Sequence, residues 1–193
     1  MSRSSESWRL FIAIELPKDV RGRISRHIQR LREQLPEVRA SWTREENLHL
    51  TLKFLGDNAV ATAESVSEAL KLAAGRFSSF EIEIRECGAF PPRGKPNVLW
   101  IGISDPSANL AKLHEEIEDE CDRIGITRER RTFHPHLTIA RLRDPRGTRE
   151  LAQLHQDIGF DPVGIRVTDL CLIRSELSSA GSRYTVIARH SLV

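Results

Sequence analysis

Two short segments of the 193-residue chain repeat the order histidine, leucine, threonine: one runs from His49 to Thr51, the other from His136 to Thr138. Alternate side chains of a strand face opposite sides of a sheet, so each segment would place an imidazole and a hydroxyl on one face. The apolar residues between and after them would lie on the other face, which can be buried. Two such strands facing each other would gather two imidazoles and two hydroxyls around one cavity.

This set of groups suits the opening of a cyclic phosphodiester by water. An imidazole titrates at about pH 6.5, so one of a pair can be neutral and act as a base while the other is protonated and acts as an acid. The base takes a proton from the attacking water and the acid protonates the departing alkoxide, each contributing about 10²- to 10⁴-fold in rate. Threonine hydroxyls and a cation can hold the non-bridging phosphate oxygens.

Strict alternation also makes a prediction for the residues that continue the first segment. Lys53 is expected on the same face as His49 and Thr51, towards the cavity. Phe54 is expected on the opposite face, which is the apolar one. Lys53 is therefore a candidate substrate-binding residue, with a solvated surface lysine as the alternative.

Hydrophobic periodicity predicts an α+β fold. Strands are predicted at residues 9–16, 47–56, 80–87, 97–104, 134–142, 164–177 and 182–192. Helices are predicted at residues 20–35, 60–75, 105–125 and 148–157. The last two strands are expected to pair as a hairpin with residues 178–181 as the turn. Strands and helices mix without regular alternation, and each half offers an opening strand, a helix and a His-Leu-Thr strand, which favours two related lobes.

Length and composition fit one domain, expected over residues 8–193, with residues 1–7 as a disordered tail. The chain is 39% apolar and 29% charged, as is typical of a soluble globular protein. No apolar run approaches the roughly 20 residues that cross a bilayer, and the N-terminus has no apolar core of a signal peptide. We therefore expect a cytoplasmic protein without a membrane partner, and a monomer.

Cysteine and arginine usage adds two expectations. The cysteines, Cys87, Cys121 and Cys171, are odd in number and form no C-x-x-C pair, so reduced, buried thiols are predicted rather than disulfides or a zinc thiolate site. The window from Thr127 to Arg149 holds seven arginines and two acidic residues. Because this window surrounds the second His-Leu-Thr, it favours a phosphate-rich ligand, with a solvated basic loop as the alternative.

The sequence resembles the 2H phosphoesterases, which are named for two H-x-T-x motifs. It is most similar to the bacterial and archaeal RNA 2′,3′-cyclic phosphodiesterases, also called 2′-5′ RNA ligases. The resemblance covers nearly the whole chain and is carried by RLFIAIELP, NLHLTLKFLG, GAFPPRGKPNVLWIGI and FHPHLTIARLR. It implies a bilobal α+β fold with pseudo-twofold symmetry and a cleft between two small antiparallel sheets. It also implies opening of terminal 2′,3′-cyclic phosphates to 2′-phosphates without a metal or other cofactor, and RNA ends as partners.

The resemblance further assigns roles to individual residues. His49 would be the proton donor and His136 the proton acceptor that activates water. Thr51 and Thr138 would bind phosphate oxygens, and Arg141 matches an arginine expected near the phosphate. Strict alternation from His136 would point Arg141 the other way, so a β-bulge or the end of the strand must intervene. Reversible 2′-5′ ligation of RNA is a further activity that the resemblance suggests.

Several weaker patterns and two rival functions remain open. Trp100, Phe90 and Phe133 are candidates for stacking on a base, with core packing as the alternative. Arg93 and Lys95 are candidates for phosphate contacts or a plain charged turn. One rival is a metal-dependent phosphodiesterase, in which His134 and His136 would bind zinc from one strand face. The other rival is a module that binds RNA ends without catalysis.

Overall fold

The computed structural model describes residues 6–178 and 181–193, and within them the chain forms nine strands and four α-helices. The strands are β1 (Ser7–Glu15), β2 (Ala40–Trp42), β3 (His49–Ala59), β4 (Phe80–Phe90), β5 (Val98–Ser104), β6 (His136–Leu142), β7 (Val163–Val167), β8 (Asp169–Ser178) and β9 (Gly181–Ser191). The helices are α1 (Lys18–Gln34), α2 (Thr62–Ala74), α3 (Asn109–Arg123) and α4 (Thr148–Ile158). Most of the expected disordered tail, residues 1–5, lies outside the described residues, and β1 begins at Ser7.

The strands form two antiparallel sheets. The first sheet has the order β3-β1-β8-β9, and the second has the order β2-β6-β5-β4-β7. Each sheet contains one His-Leu-Thr strand, β3 in the first and β6 in the second. The α+β fold class with two small antiparallel sheets is therefore confirmed.

Helices cover one face of each sheet and leave the other face for a site. Helix α2 contacts β3, β8 and β9, helix α3 contacts β3, and helix α4 contacts β4. On the covered side of β1, Leu10, Ile12 and Ile14 belong to the main hydrophobic core. On its opposite side, Phe11 and Ala13 form a small separate cluster with residues of β8. Among the described helices, none is long and apolar enough to cross a membrane.

The prediction of a single strand over residues 164–177 is wrong. Strand β7 pairs with β4 in the second sheet, whereas β8 pairs with β1 and β9 in the first. The chain crosses between the sheets at Thr168, where no glycine or proline marks a break. The residues that join the main core have odd numbers before this point (Ile165, Val167) and even numbers after it (Leu170, Leu172). The sequence therefore indicates the crossing by this shift of the core-facing positions and not by a glycine or proline.

Other boundaries also differ from the prediction. The three-residue strand β2 was not predicted, because three residues are too few to show a period. Helix α3 begins at Asn109 rather than at Asp105. The Asp105 carboxylate accepts hydrogen bonds from the backbone N–H groups of Ser107 at 3.1 Å and Leu110 at 2.6 Å. These bonds hold residues 105–108 in a turn before the helix.

The hairpin of β8 and β9 forms as predicted, but positions 179–180 of its turn lie outside the described residues.

A β-bulge in β3 overturns the expected direction of Lys53. Thr51 pairs with Ala13 of β1 but Lys53 pairs with Ile12, so Leu52 is an extra residue in the ladder. One extra residue reverses the alternation that follows it. Lys53 consequently points into the core, where it is 1% exposed, and the prediction that it faces the cavity is wrong.

The buried Lys53 forms an ion pair that ties three parts of the chain together. Its Nζ donates to Oε2 of Glu118 on α3 at 2.6 Å and to the carbonyl of Thr127 at 3.1 Å. The same Glu118 oxygen accepts the backbone N–H of Glu129 at 3.0 Å. Strand β3 is therefore anchored to α3 and to the segment that leads towards β6.

Removing one partner of this pair should cost much more stability than breaking an exposed pair. Lys53→Met leaves the Glu118 carboxylate buried without its cation, which we expect to lower the free energy of unfolding by about 3 kcal/mol. The double variant Lys53→Met/Glu118→Met should recover most of that loss. Chemical denaturation followed by circular dichroism measures both. The control is Lys71→Met, which removes the exposed pair with Glu68 and should cost less than about 1 kcal/mol. Equal losses for the two lysines would contradict the buried position of Lys53.

Candidate active site

His49 lies on the uncovered face of the first sheet, against an aromatic pair. The centroid of its ring is 4.8 Å from that of Phe11 and 5.3 Å from that of Tyr184. Thr51 follows on the same face, and its Oγ1 is 3.0 Å from Nε2 of His49. The first His-Leu-Thr thus presents an imidazole and a hydroxyl side by side, as alternation predicts for these two residues.

His136 occupies the corresponding place in the second sheet, again against two aromatic rings. Its ring is 5.2 Å from that of Phe90 and 6.5 Å from that of Trp100, centroid to centroid, and both contacts are edge-on. The Trp100 ring lies flat across β4, where Gly88 leaves room for it; a Cβ on Gly88 would overlap the indole. Each catalytic candidate is therefore held between the sheet and aromatic side chains.

Both histidines are oriented by the same local hydrogen bond. Nδ1 of His49 is 2.7 Å from the carbonyl oxygen of Asn47, and Nδ1 of His136 is 2.6 Å from that of His134. A carbonyl oxygen can only accept, so Nδ1 carries the proton in each ring. The neutral imidazole then has its lone pair on Nε2, and Nε2 is the atom that can give or take a proton at a substrate.

The pKa values of the two histidines are both lowered, but their charged neighbours differ. Burial lowers the pKa of His49, while the hydrogen bond to Asn47 and the nearby Glu15 carboxylate act in the opposite direction. Burial also lowers the pKa of His136, and the Arg141 guanidinium adds to that lowering, against the raising effect of the His134 carbonyl. In the free protein at neutral pH both rings are mostly neutral. Glu15 favours a proton on His49, and Arg141 disfavours one on His136.

A β-bulge in β6 brings Arg141 to the face of His136. Thr138 pairs with Trp100 of β5 but Ala140 pairs with Leu99, so Ile139 is the extra residue. Ile139 and Ala140 are both buried, and Arg141 is exposed. Of the two possibilities expected before Arg141, a β-bulge or the end of the strand, the bulge is the one that occurs.

The two bulges occupy the same position in the two motifs. In β3 the extra residue follows Thr51, and in β6 it follows Thr138. The fifth residue after each histidine is therefore turned to the uncovered face: Phe54 in β3 and Arg141 in β6. Phe54 is 60% exposed and lies 6.1 Å from the Phe11 ring, centroid to centroid. Its predicted place on the buried face is wrong, and its correspondence to Arg141, five residues after the other histidine, is the sequence feature that could have indicated that Phe54 faces the site.

The chain between β2 and β3 links the two sheets next to the motifs. Strand β2 belongs to the second sheet and β3 to the first, and β3 contacts β6. A short 3₁₀ helix at Glu45–Asn47 leads into His49. The side chain of Asn47 donates to the carbonyl of Ser182 in β9 at 2.9 Å. Thr43 in this connection is bonded to β6, and β3 itself contacts β6, so the two motif strands are neighbours in space.

The remaining candidates from the sequence are distributed differently. Phe90 and Trp100 contact His136, whereas Phe133 stacks on His114 of α3 at 4.0 Å and does not join them. Arg93 and Lys95 lie exposed in the loop before β5. In the arginine-rich window, Arg128 forms ion pairs with Glu115 and Asp119, and Arg146 pairs with Asp144. Part of that window is therefore already neutralised by acidic neighbours.

One group of potential metal ligands occurs among residues 6–178 and 181–193, and it contains neither motif histidine. It consists of His27, Cys87 and His155, whose ligand atoms are within 4.8 Å of one another. Nε2 of His27 is 2.9 Å from Nδ1 of His155, and Nε2 of His155 donates to the Trp100 carbonyl. Hydrogen bonds thus account for both imidazoles. The pair His134 and His136 considered for zinc belongs to no such group within those residues. All three cysteines are free; Cys121 and Cys171 are buried as predicted, whereas Cys87 is only half-buried.

Sequence comparison places the chain in a family. Residues 20–178 match the family model described as the 2′-5′ RNA ligase superfamily. A relative from Methanothermobacter thermautotrophicus named RNA 2′,3′-cyclic phosphodiesterase is 33% identical over 178 residues, which cover 92% of this chain and 95% of the relative. A relative with the same name from Escherichia coli K12 is 31% identical, covering 97% and 98%. The chain belongs to the 2′-5′ RNA ligase superfamily, a group of 2H phosphoesterases.

Solved structures share the fold. TT0787 from Thermus thermophilus superposes with a TM-score of 0.78 at 26% identity, covering 95% of this chain and 97% of that chain. Escherichia coli LigT in its apo form superposes with a TM-score of 0.71 at 30% identity, covering 98% and 99%. LigT has also been solved with 3′-AMP. The family and the fold that the sequence resemblance implied are both confirmed.

The charged neighbours of the two histidines can be tested by NMR titration of the imidazoles. In the free protein both should titrate below the usual 6.5. Arg141→Ala removes a positive charge beside His136 and should raise the pKa of that histidine alone. Glu15→Gln removes a negative charge beside His49 and should lower its pKa further. The control is Arg146→Ala, which alters an exposed pair and should move neither. If Arg141→Ala leaves His136 unchanged, Arg141 is not near the imidazole.

Proposed function

We propose that this chain is an RNA 2′,3′-cyclic phosphodiesterase that opens terminal 2′,3′-cyclic phosphates to 2′-phosphates by acid–base catalysis. One observation carries the proposal: the two sheets each present an imidazole with the same Nδ1–carbonyl bond, which directs Nε2 to a substrate, in His49 beside the Thr51 hydroxyl. Each imidazole has a threonine hydroxyl two residues further along the strand. The family relationship supports the same activity, since the relatives named above are RNA 2′,3′-cyclic phosphodiesterases.

His136 is the general base and His49 the general acid. Nε2 of His136 takes a proton from water as the water oxygen bonds to phosphorus. The bond from phosphorus to the 3′ oxygen breaks, and Nε2–H of His49 protonates that oxygen. The product carries a 2′-phosphate and a free 3′ hydroxyl, and the two histidines have exchanged protonation states. A proton exchanged with solvent at each ring restores the starting forms.

The charge distribution supports this assignment of acid and base. Glu15, directly opposite His49 in the β1–β3 ladder, stabilises an imidazolium there. Arg141 beside His136 favours the neutral ring that a base needs. Because burial lowers the pKa of both rings, His49 must gain its proton when the anionic substrate binds. A phosphate anion beside the imidazole raises the imidazole pKa, so binding and protonation reinforce each other.

The remaining side chains of the uncovered faces bind different parts of the substrate. Thr51, Thr138 and the Arg141 guanidinium bind the non-bridging phosphate oxygens, where negative charge grows in the transition state. The exposed ring of Phe54 provides an aromatic surface for the nucleotide attached to the phosphate. RNA ends that carry a cyclic phosphate are therefore the proposed substrate. The same acid and base, with an RNA 5′ hydroxyl attacking the phosphorus in place of water and the 3′ oxygen leaving, would form a 2′-5′ phosphodiester and account for 2′-5′ ligation.

Two alternatives are separated from this function by simple measurements. Turnover of a dinucleotide with a 2′,3′-cyclic phosphate distinguishes the enzyme from a module that only binds RNA ends. Activity in excess EDTA distinguishes two-histidine catalysis from a metal-dependent phosphodiesterase. Loss of turnover in EDTA that zinc or manganese restores would favour the metal-dependent enzyme.

The two histidines should behave as one catalytic unit. His49→Ala and His136→Ala should each lower kcat/KM by about 10²- to 10⁴-fold. The double variant should lose far less than the product of the two, because both groups serve one transition state. A substrate with a much better leaving group needs little protonation and should rescue His49→Ala more than His136→Ala.

The control for this kinetic experiment is His190→Ala, since His190 bonds Ser67 of α2 and its loss should leave kcat/KM within about twofold of the unaltered protein. Stronger rescue of His136→Ala would mean that His136 is the acid and His49 the base. Full activity of either single variant would rule out the proposed chemistry.

A further inference from the structure

The bulge in β6 turns two consecutive carbonyl groups to the same side. In a regular antiparallel strand, successive carbonyls point to opposite neighbours. Here the backbone N–H of Thr43 donates to the carbonyl of Ile139 at 2.9 Å. The side chain of the same residue donates its hydroxyl to the carbonyl of Thr138 at 2.8 Å. Thr43 immediately follows β2, so one residue satisfies both carbonyls that the bulge exposes.

The backbone of Thr43 cannot replace the hydrogen bond that its hydroxyl makes to the Thr138 carbonyl. Its backbone N–H is already used by Ile139, and the Thr138 carbonyl is part-buried beside the site. A buried carbonyl left without a donor costs free energy comparable to a lost hydrogen bond. Without a donor for the Thr138 carbonyl, the bulged strand is no longer more stable than a strand with a regular ladder.

A regular ladder would remove Arg141 from the site. Alternation from Thr138 would turn Ala140 to the uncovered face and Arg141 towards the core, since a shift of one residue moves each following side chain to the other face. Thr138 itself would also change its backbone geometry. The position of the guanidinium beside His136 thus depends on the bulge, and the bulge depends on its hydrogen-bond donors.

The strand on the other side of the bulge is held in a similar manner. Trp100, which pairs with Thr138, has its carbonyl bonded to Nε2 of His155 at 2.9 Å, and His155 is itself bonded to His27. Side chains from outside the sheet therefore fix both neighbours of the bulge.

We propose that Thr43 is a positioning residue for catalysis: its hydroxyl stabilises the β6 bulge, and the bulge keeps the Arg141 guanidinium on the face of His136. Thr43 touches no reacting atom and acts through Thr138 and Arg141. The inference rests on the proposed function for its kinetic consequence, but the link between Thr43 and the surroundings of His136 is a structural statement that can be tested without turnover.

The decisive experiment compares Thr43→Val, which keeps the shape but loses the hydroxyl, with Thr43→Ser, which keeps the hydroxyl. Thr43→Val should lower kcat/KM for a 2′,3′-cyclic dinucleotide about tenfold, the effect of losing roughly one hydrogen bond. Thr43→Ser should stay within about twofold of the unaltered protein. In the Arg141→Ala background, Thr43→Val should cost clearly less in kcat/KM than in the unaltered protein, because one of the two groups that it positions is already gone. Thr43→Ala is the second hydroxyl-free variant if Thr43→Val does not fold.

An NMR titration of His136 gives a readout that a general loss of stability would not move. Thr43→Val should raise the pKa of His136 in the direction that Arg141→Ala raises it, and Thr43→Ser should leave it unchanged. If the unaltered protein opens no cyclic phosphate, the proposed function is wrong, but this titration still tests whether Thr43 positions Arg141 beside His136. If the protein is active and Thr43→Val matches Thr43→Ser in both kcat/KM and the His136 titration, the inference is overturned.

Discussion

The site depends on one extra residue in each of two strands. Leu52 in β3 and Ile139 in β6 both follow the threonine of the repeated motif, and each reverses the alternation of the residues after it. The histidine and threonine stay on the uncovered face, the next two positions stay buried, and the fifth residue returns to the site. Because the fifth residues differ, two equivalent motifs form an asymmetric site, with Arg141 in one lobe and Phe54 in the other.

Asymmetric surroundings are what two-histidine catalysis requires. Identical imidazoles in identical surroundings would share one protonation behaviour, and neither would be set to act as acid or as base. Glu15 opposite His49 and Arg141 beside His136 separate them electrostatically, although burial lowers the pKa of both. Aromatic rings flank both imidazoles, so in the proposed mechanism the charged neighbours assign the roles of acid and base.

Much of this arrangement could be predicted from the sequence, and the errors at the site have one physical origin. The repeated His-Leu-Thr segments located both strands, and the conflict between alternation and the expected role of Arg141 correctly pointed to a bulge or a strand end before Arg141. The matching bulge in β3 went unpredicted because no functional conflict pointed to it, and Lys53 and Phe54 were therefore assigned to the wrong faces. A bulge depends on hydrogen-bond partners from distant parts of the chain, such as Thr43 for β6. The local periodicity of a strand cannot show these partners.

The central claim is that His49 and His136 act on one phosphate. A crystal structure of the protein with a non-hydrolysable 2′,3′-cyclic nucleotide analogue tests it most directly. The account predicts Nε2 of both histidines at roughly 3 Å from oxygens bound to the same phosphorus, or from the water in line with it, with the Arg141 guanidinium on a non-bridging oxygen. A bound phosphate that contacts only one of the two imidazoles, with the other ring directed to a separate surface, would contradict it.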